Sequence, residues 1–194
     1  MRVAAALFML LAASAAGAQG ELPALYDVRG VGANDVLNVR AGPEASASLV
    51  ATLAPDETGV EIVRRSGGWG LVSLPETRGW ASLDYLARQP GQGDGFPMPL
   101  RCSGTEPFWS LSLNESPVFS VPERETQLHG RVEASAEDAT LLTFGGVGAG
   151  FDVLLERQEC SDGMSDRAYG IRAALIGTMP GAGAYLRGCC TLRP

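Results

Sequence analysis

The chain has 194 residues, which is enough for one or two domains of about 100–200 residues each. Its formal net charge of −7 disfavours nucleic acid or an anionic membrane surface as a partner. All 15 basic residues are arginine, which excludes Schiff-base chemistry on lysine and a P-loop lysine.

The first residues have the pattern of a secretory signal peptide. Arg2 gives a positive start, the apolar run 3–13 is shorter than the roughly 20 residues of a bilayer span, and Ala16-Gly17-Ala18 fits a cleavage site. We expect residues 1–18 to be removed near Ala18, leaving a periplasmic or secreted protein without a membrane span. The alternative is an apolar N-terminal helix of the folded domain.

The first half of the chain is predicted to consist of short strands. The segment Leu37–Arg40 alternates apolar with polar residues, which predicts a strand with one buried face, and Gly42-Pro43 ends it. Further strands are predicted at 25–28, 49–53, 59–63, 69–73 and 80–82. Short strands with glycine at most corners indicate a small barrel.

Four segments of this half appear in a characteristic order. They are Leu37-Asn38-Val39-Arg40-Ala41-Gly42-Pro43, Gly68-Trp69-Gly70-Leu71-Val72, Gly79-Trp80-Ala81 and Tyr85-Leu86. In this order, residues 24–88 resemble a bacterial SH3-like (SH3b) domain. The resemblance implies a small barrel that binds peptidoglycan or a peptide in the cell envelope. It also implies that Asn38 and Arg40 support local turn structure.

Aromatic side chains are the candidate ligand-binding residues of this half. Tyr26 and Trp69 are predicted to line a surface groove for a peptide or glycan. Trp80 and Tyr85 are predicted to fill the core, because a small barrel has few other large side chains. For Trp69, a place in the core is an equal alternative.

A linker and a second all-β domain are predicted to follow. Residues 89–100 are rich in glycine and proline, which favours a boundary without regular structure. Strands are predicted at 108–113, 117–121, 127–133, 139–144, 151–156, 168–175 and 184–192. We therefore expect residues 101–194 to form an antiparallel barrel or curled sheet of seven to eight strands.

Three motifs of the second half also carry a resemblance. They are Glu106-Pro107-Phe108-Trp109, Cys160-Ser161-Asp162-Gly163-Met164-Ser165 and Gly188-Cys189. In this order they resemble a family of uncharacterised bacterial envelope proteins. That resemblance implies a lipocalin-like shape and the envelope compartment, with no activity attached.

The cysteines of an exported chain are expected to be paired. Cys189 and Cys190 are neighbours on a predicted strand, so they face opposite sides and can serve different partners; a vicinal bond between them remains an alternative. The second resemblance implies a bond between Cys160 and Cys189, which leaves Cys102 for Cys190.

Residues for catalysis, a metal or a cofactor do not form a recognisable set. His129 is the only histidine and is expected to be an exposed residue near a strand end. Asp162 and Asp166 flank a short loop, where capping through Asx geometry is favoured over calcium binding. We therefore expect no cofactor, no metal and no enzymatic activity.

The sequence favours a non-catalytic binding or scaffolding protein of the envelope, with peptidoglycan or another envelope protein as its partner. One alternative is an inhibitor of a cell-wall hydrolase such as lysozyme, because an acidic barrel suits a basic enzyme. Another is a carrier of a small apolar ligand inside the second barrel. A filled barrel interior would favour surface contacts over carriage.

Overall fold

The computed structural model describes residues 21–92, 96, 98–136 and 138–192. These residues form β-strands and one short 3-10 turn, with no α-helix among them. The all-β prediction is therefore confirmed. The predicted signal peptide, residues 1–18, lies outside the described residues.

Seven strands form a curled antiparallel sheet, which we call the first sheet. They are β1 (Ala24–Val28), β2 (Leu37–Arg40), β3 (Leu49–Leu53), β4 (Val60–Ser66), β5 (Trp69–Ser73), β6 (Arg78–Ser82) and β7 (Leu86–Arg88). Their order in the sheet is β3-β2-β6-β5-β4-β1-β7, and a 3-10 turn at Leu83–Tyr85 joins β6 to β7. Leu37 and Val39 point into the core, as the alternation of β2 predicts.

The remaining strands form a closed barrel, which we call the second barrel. They are β8 (Leu100–Thr105), β9 (Phe108–Leu113), β10 (Val118–Val121), β11 (Arg124–Ser135), β12 (Ala139–Gly146), β13 (Ala149–Glu156), β14 (Ile171–Thr178) and β15 (Tyr185–Thr191). The order is β10-β11-β12-β13-β14-β15-β8-β9, and the pairing of β9 with β10 closes the ring.

Apolar side chains pack inside the second barrel. The ring centroids of Phe119 and Phe151 are 5.5 Å apart, and those of Phe151 and Phe144 are 5.8 Å apart. The rings of Trp109 and Phe119 are stacked, with their centroids 6.3 Å apart. Gly188 leaves room for this indole, since a Cβ there would lie 2.7 Å from its Cζ2 atom. The interior is thus a packed core of aromatic and aliphatic residues.

The second barrel has two disulfide bonds, one in its interior and one on its outer face. Cys102 and Cys190 are directly opposite each other on β8 and β15, and their bond lies in the interior. Cys189 faces outward and is bonded to Cys160, which fixes the segment between β13 and β14 to the wall. The predicted disulfide bonds are therefore present, in the pairs that the second resemblance implies.

The first sheet packs its outward face against the second barrel. Val63, Leu71 and Trp80 lie on that face. They form a buried cluster with Ala168, which lies between β13 and β14 of the second barrel. Side-chain alternation predicts a polar outward face, but these positions are apolar because the barrel covers them.

Polar contacts also join the first sheet to the second barrel. Arg157 forms an ion pair with Glu21 at 2.8 Å and donates to the carbonyl of Leu22 at 3.1 Å. Arg64 and Glu159 form a second pair at 2.9 Å. The sheet and the barrel therefore meet through both apolar and charged side chains.

Candidate functional site

An open groove of about 450 Å³ lies on the surface of the first sheet. We call it the Trp69–Tyr85 groove. The residues that carry its chemistry are Asp35, Asn38, Arg40, Trp69, Ser82 and Tyr85. Two aromatic rings beside an amide, a guanidinium and a carboxylate can combine stacking with directed hydrogen bonds.

The strands of the first sheet position one side of this groove. On β2, the alternation that turns Leu37 and Val39 inward turns Asn38 and Arg40 toward the groove. Arg40 also donates from Nη1 to the carbonyl of Ala47 at 2.8 Å. The role in local turn structure that the resemblance implies for Arg40 therefore has a direct counterpart.

The other side of the groove is formed by β5, β6 and the 3-10 turn. Trp69 and Ser82 are register partners, so both side chains face outward together. The backbone amide of Arg29 donates to the carbonyl of Tyr85 at 2.9 Å and holds the turn against the sheet. Gly30 has a φ of +72° and lies beside the ring of Tyr85, where the chain must turn tightly.

The structure does not bring the two sequence-predicted binding residues together. Trp69 is half-buried and lines the groove. Tyr26 is only 3% exposed and belongs to the core of the first sheet. Its hydroxyl accepts a hydrogen bond from Arg65, whose guanidinium carbon lies 5.9 Å from the ring centroid. Tyr26 is therefore a core residue, and the groove is built without it.

Tyr85 is the aromatic residue that the sequence prediction missed. It was predicted to fill the core, but it is 44% exposed and lines the groove, so this prediction is wrong. The 3-10 turn carries its ring outward after Ser82 caps the turn by accepting from the Asp84 amide at 3.4 Å. Trp80 is buried as predicted, although it lies at the contact with the barrel.

A second concavity of about 840 Å³ lies on the second barrel, and we call it the barrel cleft. It is bounded by residues 159–164 and the outer surface of β8, β14 and β15. Phe108, Met164 and Tyr185 on its rim are more than half exposed. The cleft presents both aromatic and charged groups.

Asp162 fastens the loop that borders the barrel cleft. Its carboxylate accepts hydrogen bonds from the backbone amides of Met164 and Ser165, both at 3.0 Å, as the predicted Asx geometry requires. It also accepts from the Ser165 hydroxyl at 2.9 Å and the Tyr169 hydroxyl at 3.0 Å. These hydrogen bonds therefore fix the conformation of the loop.

These contacts set the ionisation of two groups in the loop. Burial alone would raise the pKa of Asp162, but the amides of Ser165 and Met164 and the two hydroxyls outweigh it and lower the pKa. Burial raises the pKa of Tyr169, and its hydrogen bond to Asp162 adds to the increase. Both shifts are explained by the structure of the loop itself.

Residues suited to metal binding do not cluster in the part of the chain that the structure describes. No group of three or more His, Cys, Asp or Glu residues there could hold a metal ion. His129 is exposed on β11, close to Gly145 of the neighbouring strand. Across the described ranges, no helix is both long and apolar enough to traverse a bilayer.

Comparison with known proteins gives a match over the part of the chain that contains the groove. A sequence model described as bacterial SH3 domain matches residues 35–87. Residues 35–87 are similar to the bacterial SH3 domain. This range includes all six residues that carry the chemistry of the Trp69–Tyr85 groove. No curated protein and no solved structure matches the chain.

The SH3-like match and the disulfide bonds together fit an extracytoplasmic protein. A bacterial SH3 domain suggests binding to peptidoglycan or the cell wall. The resemblance of the second half to an envelope protein family stays a prediction, as do the domain boundaries taken from the sequence.

Proposed function

We propose that the protein is a non-catalytic binding protein of the bacterial periplasm or cell exterior that attaches to peptidoglycan through the Trp69–Tyr85 groove. The observation that carries this proposal is the coincidence of the SH3 match with the groove. The barrel cleft lies outside the matched residues, so it is the weaker candidate for wall binding.

The groove suits an extended polar polymer better than a small enclosed ligand. It is open to solvent along the sheet, and Trp69 and Tyr85 present rings to it. Rings of this kind provide contact area at a low cost in conformational entropy, while Asn38 and Asp35 add directed hydrogen bonds. Affinity from one such groove is modest, which suits attachment to a polymer that repeats the same unit many times.

The second barrel supports a role in surface contact rather than carriage. Its interior is filled by packed apolar side chains, including Trp109, Phe119, Phe144 and Phe151. A carrier of an apolar ligand requires space at this position. Surface binding by both parts of the protein is therefore the function that we propose, with the wall as the ligand of the first sheet.

Cosedimentation with purified, insoluble peptidoglycan tests this proposal. We expect Tyr85→Ala to weaken retention about tenfold, or about 1.4 kcal/mol, because an exposed aromatic contact is lost while the core is untouched. Tyr185→Ala is the matched control, since Tyr185 is a comparably exposed tyrosine on the second barrel.

Each outcome of the cosedimentation has a defined meaning. Loss of retention with Tyr85→Ala and normal retention with Tyr185→Ala would support the proposal. Equal retention of both variants and the unmodified protein would refute the groove as the wall-binding site. A loss confined to Tyr185→Ala would transfer the binding site to the barrel cleft.

A further inference from the structure

Trp69 has two different surroundings. Its side chain lines the groove. The same side chain also packs against the buried cluster of Val63, Leu71, Trp80 and Ala168. Because Ala168 belongs to the second barrel, the proposed binding residue of the first sheet rests on a surface that both parts of the protein build.

Ala168 is buried in the cluster on the first sheet. It is 4% exposed, yet it belongs to the cluster on the outward face of the first sheet and not to the barrel interior. Its neighbour Gly170 also contacts the sheet closely, since a Cβ there would lie 3.1 Å from Val63 Cγ1 and from Pro23. Ala168 and Gly170 therefore both lie against the first sheet.

Arg167 anchors the segment 167–170 from its other end. Its Nε atom donates to the hydroxyl of Ser73 on β5 at 2.9 Å, and its Nη2 atom donates to Thr191 at 2.7 Å. The Ser73 contact crosses from the barrel to the sheet, so the position of Ala168 is fixed relative to β5. Trp69 begins the same strand.

A second residue of the barrel acts on the cluster from outside. Glu159 pairs with Arg64 at 2.9 Å, and the guanidinium carbon of Arg64 lies 5.3 Å from the ring centroid of Trp80. The cation lies over the ring of Trp80, and the residues of the cluster pack against the same side chain. Trp80 is thereby held in place, and it is part of the surface on which Trp69 rests.

We propose that the barrel segment 167–170 is a positioning element for the wall-binding groove: through Ala168 it fixes the orientation of Trp69. This inference rests on the proposed function, because it assigns a role in binding to residues that the ligand does not touch. A half-exposed indole has several rotamers, and a surface that selects one of them lowers the entropy lost on binding. The second barrel then contributes to affinity without forming part of the groove.

Fluorine NMR of the full chain labelled with 5-fluorotryptophan tests the inference. The chain has three tryptophans, and each reports a different region. Trp69 reports the groove, Trp80 reports the contact between sheet and barrel, and Trp109 reports the barrel interior. Trp69→Phe identifies the resonance of Trp69.

The decisive variant is Ala168→Glu, which places a carboxylate in the apolar contact. We expect the Trp80 and Trp69 resonances to move, the Trp109 resonance to stay, and retention on peptidoglycan to fall on the order of fivefold. Ala134→Glu is the matched control, because Ala134 is exposed on β11 of the same barrel. If Ala168→Glu loses the Trp109 resonance, Ala168→Ser provides the same test with a smaller change.

The outcomes separate this inference from the proposed function. An unmoved Trp69 resonance with unchanged retention would overturn the positioning role, even if Tyr85→Ala weakened wall binding as the proposed function requires. A shifted Trp69 resonance in the unliganded Ala168→Glu variant supports positioning. If Tyr85→Ala then left retention unchanged, the proposed function would fail while the structural contact stood.

Discussion

Arg167→Met removes the central cation of the contact between the first sheet and the second barrel. Arg167 donates to Ser73 and to Thr191, and its Nη2 atom lies 3.8 Å from a carboxylate oxygen of Glu61. Thr191 in turn donates to the same carboxylate at 2.5 Å. Methionine keeps much of the apolar stem but supplies none of these donors.

The burial of Glu61 sets the magnitude of the expected loss. Its side chain is 0% exposed, whereas that of Arg167 is 16% exposed. Removing one partner of a buried charge pair costs about 3–5 kcal/mol, because the remaining charge stays in a medium of low dielectric constant. We expect a loss of about 3 kcal/mol for Arg167→Met, at the lower end, because the guanidinium retains some solvent and the separation is long.

Arg172→Met provides the matched control in the same barrel. Arg172 pairs with Glu156 at 2.6 Å, which is a shorter contact than that of Arg167 with Glu61. Its side chain is 39% exposed and that of its partner is 32% exposed, so solvent screens the pair. We expect a loss of about 0–1 kcal/mol from this variant.

Urea unfolding at pH 7, followed by far-ultraviolet circular dichroism and tryptophan fluorescence, measures both variants. Arg167→Met should lower the transition midpoint and separate the unfolding of the sheet from that of the barrel, because their contact is weakened. If both variants lost the same stability, the burial of an ion pair would not decide its contribution, and the reasoning would be refuted. A loss below about 1 kcal/mol for Arg167→Met would also refute it.

Two further predictions concern the loop beside the barrel cleft. Replacing Cys160 and Cys189 together with alanine should lower the free energy of unfolding by about 3.6 kcal/mol, from the entropy of a loop with a sequence separation of 29; unchanged urea stability would contradict this. Asp162→Asn should cost about 1 kcal/mol at pH 7, because asparagine has one acceptor oxygen for four donors. The pKa of Asp162 is lowered from 3.8, so its stabilisation is complete above that pH and is lost as the pH falls through the lowered pKa. The stability gap between Asp162→Asn and the unmodified protein should therefore narrow below pH 3.8, and a gap that stays constant in acid would contradict the prediction.

Local sequence patterns predicted those strands whose partners are near in the chain. The alternation in Leu37–Arg40 and the glycines at 67–68 mark β2 and the β4–β5 hairpin, and both are present. By contrast, β8 was not predicted, because Arg101-Cys102-Ser103-Gly104 has no run of large apolar residues. This strand exists because β15, far away in sequence, pairs with it and closes the barrel.

The groove was only half predictable for a related reason. Trp69 was predicted to line a groove, with a place in the core as an equal alternative, and it does line the groove. Tyr26 and Tyr85 each lie in an environment that the chain creates only after folding. Tyr26 lies on the inward face of a strand, and Tyr85 lies in a turn that projects from the sheet. Sequence spacing does not distinguish these surroundings.

Covering of the first sheet by the barrel was also beyond local prediction. The side chains of Val63 and Leu71 point away from the core of the first sheet. In a small domain, a strand that is apolar on both faces does not reveal from sequence which face belongs to the core. The residue that covers them, Ala168, follows about a hundred positions later in the chain. Only the folded arrangement shows why those two positions are not polar.

The adjacent cysteines of β15 have a consequence for oxidative refolding. Exchanging the partners of Cys189 and Cys190 would require the strand to slip by one residue, which would turn Leu186 out to solvent and Arg187 into the packed interior. Such a mispaired chain cannot complete its barrel, so thiol exchange continues until the correct faces meet. The packing of the apolar barrel interior thus selects the correct disulfide pairs.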